Sequence, residues 1–94
     1  MELSERWLKK FEQEGFTSVY EHQDAQGTMY KEHSHKGKVS LFVTDGSIMF
    51  DFAGETREVK AGERFDVPAG KPHSAIVGPT GWIVIVGEEI DGDS

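Results

Sequence analysis

Gly27-Thr28-Met29-Tyr30-Lys31-Glu32-His33-Ser34-His35 and Gly62-Glu63-Arg64-Phe65-Asp66-Val67-Pro68-Ala69-Gly70-Lys71-Pro72-His73 together hold three of the chain's four histidines. Side chains alternate along an extended strand, so His33 and His35 project to one side and Glu32 and Ser34 to the other. Two imidazoles on one face are a ready pair of metal ligands, although two surface histidines in a polar stretch are the commoner finding when taken alone. His73 changes that weighing. It follows a stiff turn, Pro68-Ala69-Gly70-Lys71-Pro72, which delivers it at the start of a strand, where barrel mouths present functional groups.

Outward from these segments the chain reads as short β-rich runs separated by turn residues. Strands are expected near 17–22, 28–35, 39–44, 47–52, 56–60, 64–67, 73–77 and 82–86, and strands at this spacing suggest a sandwich or barrel. Asp45-Gly46 is a two-residue hairpin signal. It would pair Thr44 with Ser47, Val43 with Ile48, Phe42 with Met49 and Val39 with Phe52, placing Val39, Leu41, Val43, Ile48, Phe50 and Phe52 on an inner face. Phe42 and Met49 then stand on the outer face. The run 83–86 is apolar at every position and reads as a strand covered on both sides.

Ahead of the strands, residues 4–14 read as one amphipathic helix with Trp7, Leu8 and Phe11 on a single stripe. Ser4 is its expected cap, Leu3 and Leu8 have staple spacing, and Gly15 sits where a left-handed terminator belongs. The expected organisation is a helix over 1–15, one barrel domain over 16–87 and an acidic tail over 88–94.

At 94 residues and 36% hydrophobic there is room for one modest core and no second domain. The net charge of −7, from 17 acidic and 10 basic residues, repels a phosphate backbone, so no nucleic-acid partner is expected. Four of the acids, Glu88, Glu89, Asp91 and Asp93, lie in the expected tail. The absence of cysteine removes disulfides, thiolate metal sites and a Cys nucleophile. Neither a basic start followed by an apolar run nor a membrane-length apolar stretch is present, so a cytoplasmic protein without membrane attachment is expected.

The first quoted segment, with Gly46 eleven residues beyond His35, resembles the first cupin motif: Gly, five residues, His-x-His, then a spaced Glu and Gly. The second segment resembles the second cupin motif: Gly, five residues, Pro-x-Gly, two residues, His. The resemblance runs from Gly27 to His73 and implies an all-β jelly roll, a double-stranded β-helix barrel, here with a short N-terminal α-helix. It also carries His33, His35 and His73 over as metal ligands. The chain departs from the pattern at Val39, where the family places its metal-binding Glu, and at Val77, where it often has Asn.

Three neutral imidazoles suit Zn(II), Fe(II), Ni(II), Cu(II) or Mn(II) and leave a coordination position open. Without a carboxylate ligand the centre keeps the full charge of the ion, which favours a chelating anionic ligand. Two function classes follow. One is a metal-dependent enzyme of oxygenase or isomerase type acting on a small polar or anionic metabolite, its catalytic residues unknown because no general base stands out. The other is a non-catalytic barrel that binds or senses a small ligand or a sugar. A purely structural reading requires the three histidines to be empty. Of the remaining candidates, His22 reads as a rim residue, Lys31 as a solvated rim lysine and Tyr30, of opposite parity, as packing. A homodimer through the outer face of the hairpin is expected for Phe42 and Met49. Cover of that face by the Trp7/Leu8/Phe11 stripe is the equal rival.

Overall fold

The structure is a computed structural model that describes residues 2–89. Residues 90–94, most of the expected acidic tail, lie outside the described residues. One helix, α1 (Leu3–Gln13), precedes six strands: β1 (Ser18–Asp24), β2 (Met29–His33), β3 (Val39–Phe52), β4 (Glu55–Lys60), β5 (Arg64–Val67) and β6 (His73–Glu88).

The helix starts two residues earlier than the Ser4 cap implies. Glu2 is the residue before its first turn, no side chain caps it, and the Arg6 amide already donates to the Glu2 carbonyl at 3.1 Å. The other end is as expected: Gly15 takes φ +95° and the Gly15 amide donates to Glu12. Phe16 folds back to meet Phe11 edge-on at 5.5 Å.

Two long antiparallel strands, β3 and β6, organise the rest. The strand order is β1-β6-β3-β4, with β2 on the other half of β6 and β5 on the other half of β3. Each long strand bends midway and serves both layers of a jelly roll. In one layer Val39–Val43 of β3 faces Val84–Glu88 of β6, flanked by β1 and β5; in the other Ile48–Asp51 faces Ser74–Val77, flanked by β2 and β4. Among the described residues the hydrogen-bonded ladder does not close into a ring, so the barrel is open along one seam.

Eight expected strands therefore merge into six, because two expected breaks are bends. Asp45-Gly46 is not a hairpin turn. β3 runs straight through it, and Phe42 lies opposite Arg64 and Ile85 rather than Met49. The backbone groups a hairpin would have paired are satisfied from across the layer: Gly62 N–H donates to Val43 at 2.8 Å, Ala61 N–H donates to Gly46 at 3.0 Å, and Val43 N–H donates to Glu63 at 3.1 Å. Gly46 is required because β6 crosses on top of it. At φ +75° a Cβ there would lie 1.9 Å from the Gly81 carbonyl oxygen. The register against β6 slips on both sides of this corner, and such a bulge reverses side-chain parity. For that reason the expected inner face survives the wrong pairing: Val39, Leu41, Val43, Ile48, Phe50 and Phe52 are all buried in the main core.

A second, smaller core lies outside the jelly roll. Phe11, Phe42 and Ile85 are buried there, with Trp7, Leu8, Phe16 and Val19 packed against them. Trp7 stacks flat on Phe42 with ring centroids 4.0 Å apart. The helix stripe, and not a partner chain, covers Phe42 and the outer side of the 83–86 run. Arg64 on β5 clamps the helix end with two bonds to Glu14, at 2.7 and 2.8 Å, and its bonding holds the Glu14 carboxyl below the usual range.

Candidate metal centre

His33 is the last residue of β2 and His73 the first of β6, and the two are direct cross-strand partners. His35 follows in the loop beyond β2. Its segment is tied to the Pro68–Pro72 turn by one backbone bond, Gly70 N–H donating to the His35 carbonyl at 2.7 Å. One turn thus fixes both ends of the site, and Gly70 at φ +73° allows it. The ring centroids of His33, His35 and His73 are 4.8, 4.6 and 5.4 Å apart pairwise, and one ring nitrogen from each falls within 4.8 Å of the others.

Two of the three rings are already oriented for an ion. His33 Nδ1 is 2.6 Å from the Lys31 carbonyl and His73 Nδ1 is 2.9 Å from the Lys71 carbonyl. A carbonyl only accepts, so each Nδ1 carries the proton and each Nε2 keeps its lone pair, the tautomer that metal-bound histidines adopt. His73 is 1% exposed, held between Phe50 and Phe52 at ring distances of 5.8 and 5.3 Å. Burial lowers the His35 pKa, the neighbouring His33 and His73 lower it further, and the Glu88 charge opposes them. His35 is thereby held in the neutral form that a metal requires. Nitrogens bound at about 2 Å to one tetrahedral ion stand roughly 3.3 Å apart, inside the 4.8 Å within which these three lie without an ion. The donor set fits a transition-metal ion.

The three histidines sit at one end of a cavity of about 260 Å³. Its walls are apolar, from Leu41, Ile48, Phe50, Val84 and Val86, but Tyr20, His22, Tyr30, Trp82 and Glu88 also line it.

The cupin domain profile matches residues 20–86. The chain belongs to the cupin family. Comparison with curated proteins gives no match. Among solved structures it is similar to an RmlC-like cupin from Shewanella frigidimarina, at 25% identity and a TM-score of 0.65, over 80% of this chain and 68% of that one. It is also similar to the polyketide cyclase RemF from Streptomyces resistomycificus, at 24% identity and 0.65, over 77% of this chain and 54% of that one. A third is the cupin domain of Schizosaccharomyces pombe Cnp3, at 18% and 0.71, over 83% of this chain and 58% of that one.

Within this cupin, Val39 is 8% exposed and faces the same cavity, so the family's glutamate position is occupied inside the site by a side chain that cannot ligate. Two residues read otherwise from sequence belong to the cavity. Tyr30 was expected to point away from His33, three residues on. β2 bulges between them, Tyr30 pairing with Ala75 and His33 with His73, which returns both side chains to one face. His22 is half-buried at the cavity wall rather than at a free rim.

Both belong to a network on Asp24, which sequence reading missed. One Asp24 oxygen accepts from Tyr30 Oη, from Trp82 Nε1 at 2.8 Å and from His22 Nε2 at 3.0 Å. Burial raises the Asp24 pKa, but the three donors outweigh it and the carboxyl is held below its ordinary value. Burial and the bond to Asp24 push the Tyr30 phenol well up. Parity along β1 carried the only signal, since His22 and Asp24 share a face with Tyr20. Lys31 is exposed and contributes its carbonyl, not its charge. Among the described residues no helix is long and apolar enough to cross a membrane.

Proposed function

We propose that this cupin is a metal-dependent enzyme, of oxygenase or isomerase type, that acts on a small polar or anionic metabolite. The convergence of His33, His35 and His73 on one point of a cavity supports this reading. The three imidazoles would hold a divalent transition metal, which supplies Lewis acidity or redox chemistry when bound. The cavity volume suits a ligand of small-metabolite size. RemF is a polyketide cyclase on a similar fold, which supports an enzymatic role by analogy of fold. Binding without turnover is the second reading, favoured by the bonds from Tyr30 and Trp82 to Asp24, which commit the protons of both donors.

Elemental analysis after purification without added metal, with competition titrations on variants, tests the proposal. One transition metal per chain is expected. His33→Ala, His35→Ala and His73→Ala should each weaken binding beyond the roughly 10–100-fold typical of outer-shell partners, while His22→Ala leaves it nearly unchanged. A metal lost as fully in His22→Ala as in His73→Ala rejects this ligand set. A loaded protein inert toward a library of small carboxylates and sugar acids, yet stabilised by one of them, supports the binding reading instead.

A further inference from the structure

Glu88 was grouped with the acidic tail on sequence, yet it is the last residue of β6. It stands opposite Val39 on β3 and opposite Ser18 on β1. Cross-strand partners share a face, and Glu88 also has the parity of Val84 and Val86, which point into the core. It therefore points inward, and it is the acidic residue that lines the cavity together with His33, His35 and His73. Other nearby carboxylates do not compete for this position. Glu32 is exposed, and Asp24 is not among the residues lining the cavity, one of its oxygens accepting from three donors.

Resting on the metal-binding reading above, we propose that Glu88 is the carboxylate donor of this centre, carried one strand over from the position where Val39 stands. Opposed residues on neighbouring antiparallel strands have Cβ atoms about 5 Å apart, so a glutamate at position 88 starts from beside the place where the family's glutamate would start. The carboxylate is held in reserve by Tyr20. Tyr20 pairs with Val86, two residues before Glu88, and lines the same cavity; burial first, then the charge of Glu88 and its hydrogen bond, push the Tyr20 phenol up to about 12. Coordination by Glu88 would exchange that bond for the ion and requires the side chain to turn toward the histidines, whose ring nitrogens alone group within 4.8 Å of one another here. It also lowers the net charge of the centre by one, which weakens the preference for anionic ligands that three imidazoles alone would give.

Co(II) alone is the probe, with affinity measured by chelator competition and coordination by d–d absorption. Glu88→Gln should weaken Co(II) binding by roughly 10–100-fold and alter the d–d band. Adding Val39→Glu to Glu88→Gln should restore both, and Tyr20→Phe, which frees the carboxylate, should tighten binding. Circular dichroism establishes that each variant is folded. A wild type that binds Co(II) and loses it in His73→Ala, with Glu88→Gln unchanged in affinity and spectrum, overturns the assignment while leaving the three-histidine centre standing. A weaker Glu88→Gln with an unaltered d–d band also overturns it, since the charge would then act only from a distance. A wild type without Co(II) affinity overturns the metal reading itself.

Discussion

Asp24 joins more of the molecule than any other polar residue near the site. One of its two oxygens links β1 to Tyr30 of β2 and to Trp82 of β6, and a half-buried acceptor that loses its charge leaves donors poorly matched. Asp24→Asn should cost about 2 kcal/mol in urea unfolding, within the range for hydrogen bonds to charged groups. The sign of the pH effect follows from the lowered carboxyl. Its stability contribution is complete above the unfolded Asp value of about 3.9 and is lost as pH falls through the lower folded value. The gap between wild type and Asp24→Asn should therefore narrow below about pH 4, and a gap constant from pH 2.5 to 6 would contradict the network. At this scale the sequence was uneven. His33, His35 and His73 were legible because motif spacing alone locates them, and Val39 as a gap in that motif was legible too. Tyr30 and Asp24 were not, because a one-residue bulge in β2 carries no compositional mark and reverses the parity on which the reading of Tyr30 relied.

Strand corners decide where the site's residues end up, and the sharpest corner is Gly46 over Gly81. Asp45-Gly46 reads from sequence as a hairpin turn, yet only Gly46 of the pair takes a positive φ and the pair is a bend within β3. The same dihedral serves a tight hairpin or a bulged bend, and only the remote bonds from Ala61 and Gly62 and the register against β6 select the second. Gly46 and Gly54 separate the two demands made on such a glycine. Both have positive φ, but a Cβ on Gly54 meets nothing within 4 Å, whereas one on Gly46 lies 1.9 Å from a backbone oxygen. Gly54→Ala should cost only the left-handed strain of about 1–2 kcal/mol. Gly46→Ala adds a backbone clash and should cost clearly more, spreading β3 from β6 and loosening the histidine end of the cavity. Equal unfolding midpoints for the two variants would show that the crossing tolerates a side chain.

At the scale of the whole molecule, the fold class was legible because two motifs in order constrain the chain from Gly27 to His73, whereas the open seam depends on strand edges that no residue pattern announces. The expected dimer needs revision on the same ground. Phe42 is 5% exposed beneath Trp7 and cannot form an interface. Leu3 and Tyr20 are exposed elsewhere, but one outward apolar row runs across β2, β6 and β3, in which Met29 is 75%, Ile76 44% and Met49 36% exposed, with Ile76 the cross-strand neighbour of both methionines. Three contiguous apolar side chains favour association with a like patch over solvent, against the mutual repulsion of two chains of net charge −7, and a two-fold pairing lets each patch cover the other. The row fills only part of the roughly 800 Å² per partner of a standard interface, so the dimer should be weak and its population should depend on concentration. Solution mass measured by light scattering across a hundredfold dilution series should move from dimer toward monomer. Met49→Lys with Ile76→Lys should give monomer throughout without loss of stability, since neither side chain belongs to the buried core. A wild type that stays monomeric at the highest concentration, or a double variant that dimerises as the wild type does, would remove this face as the site of assembly.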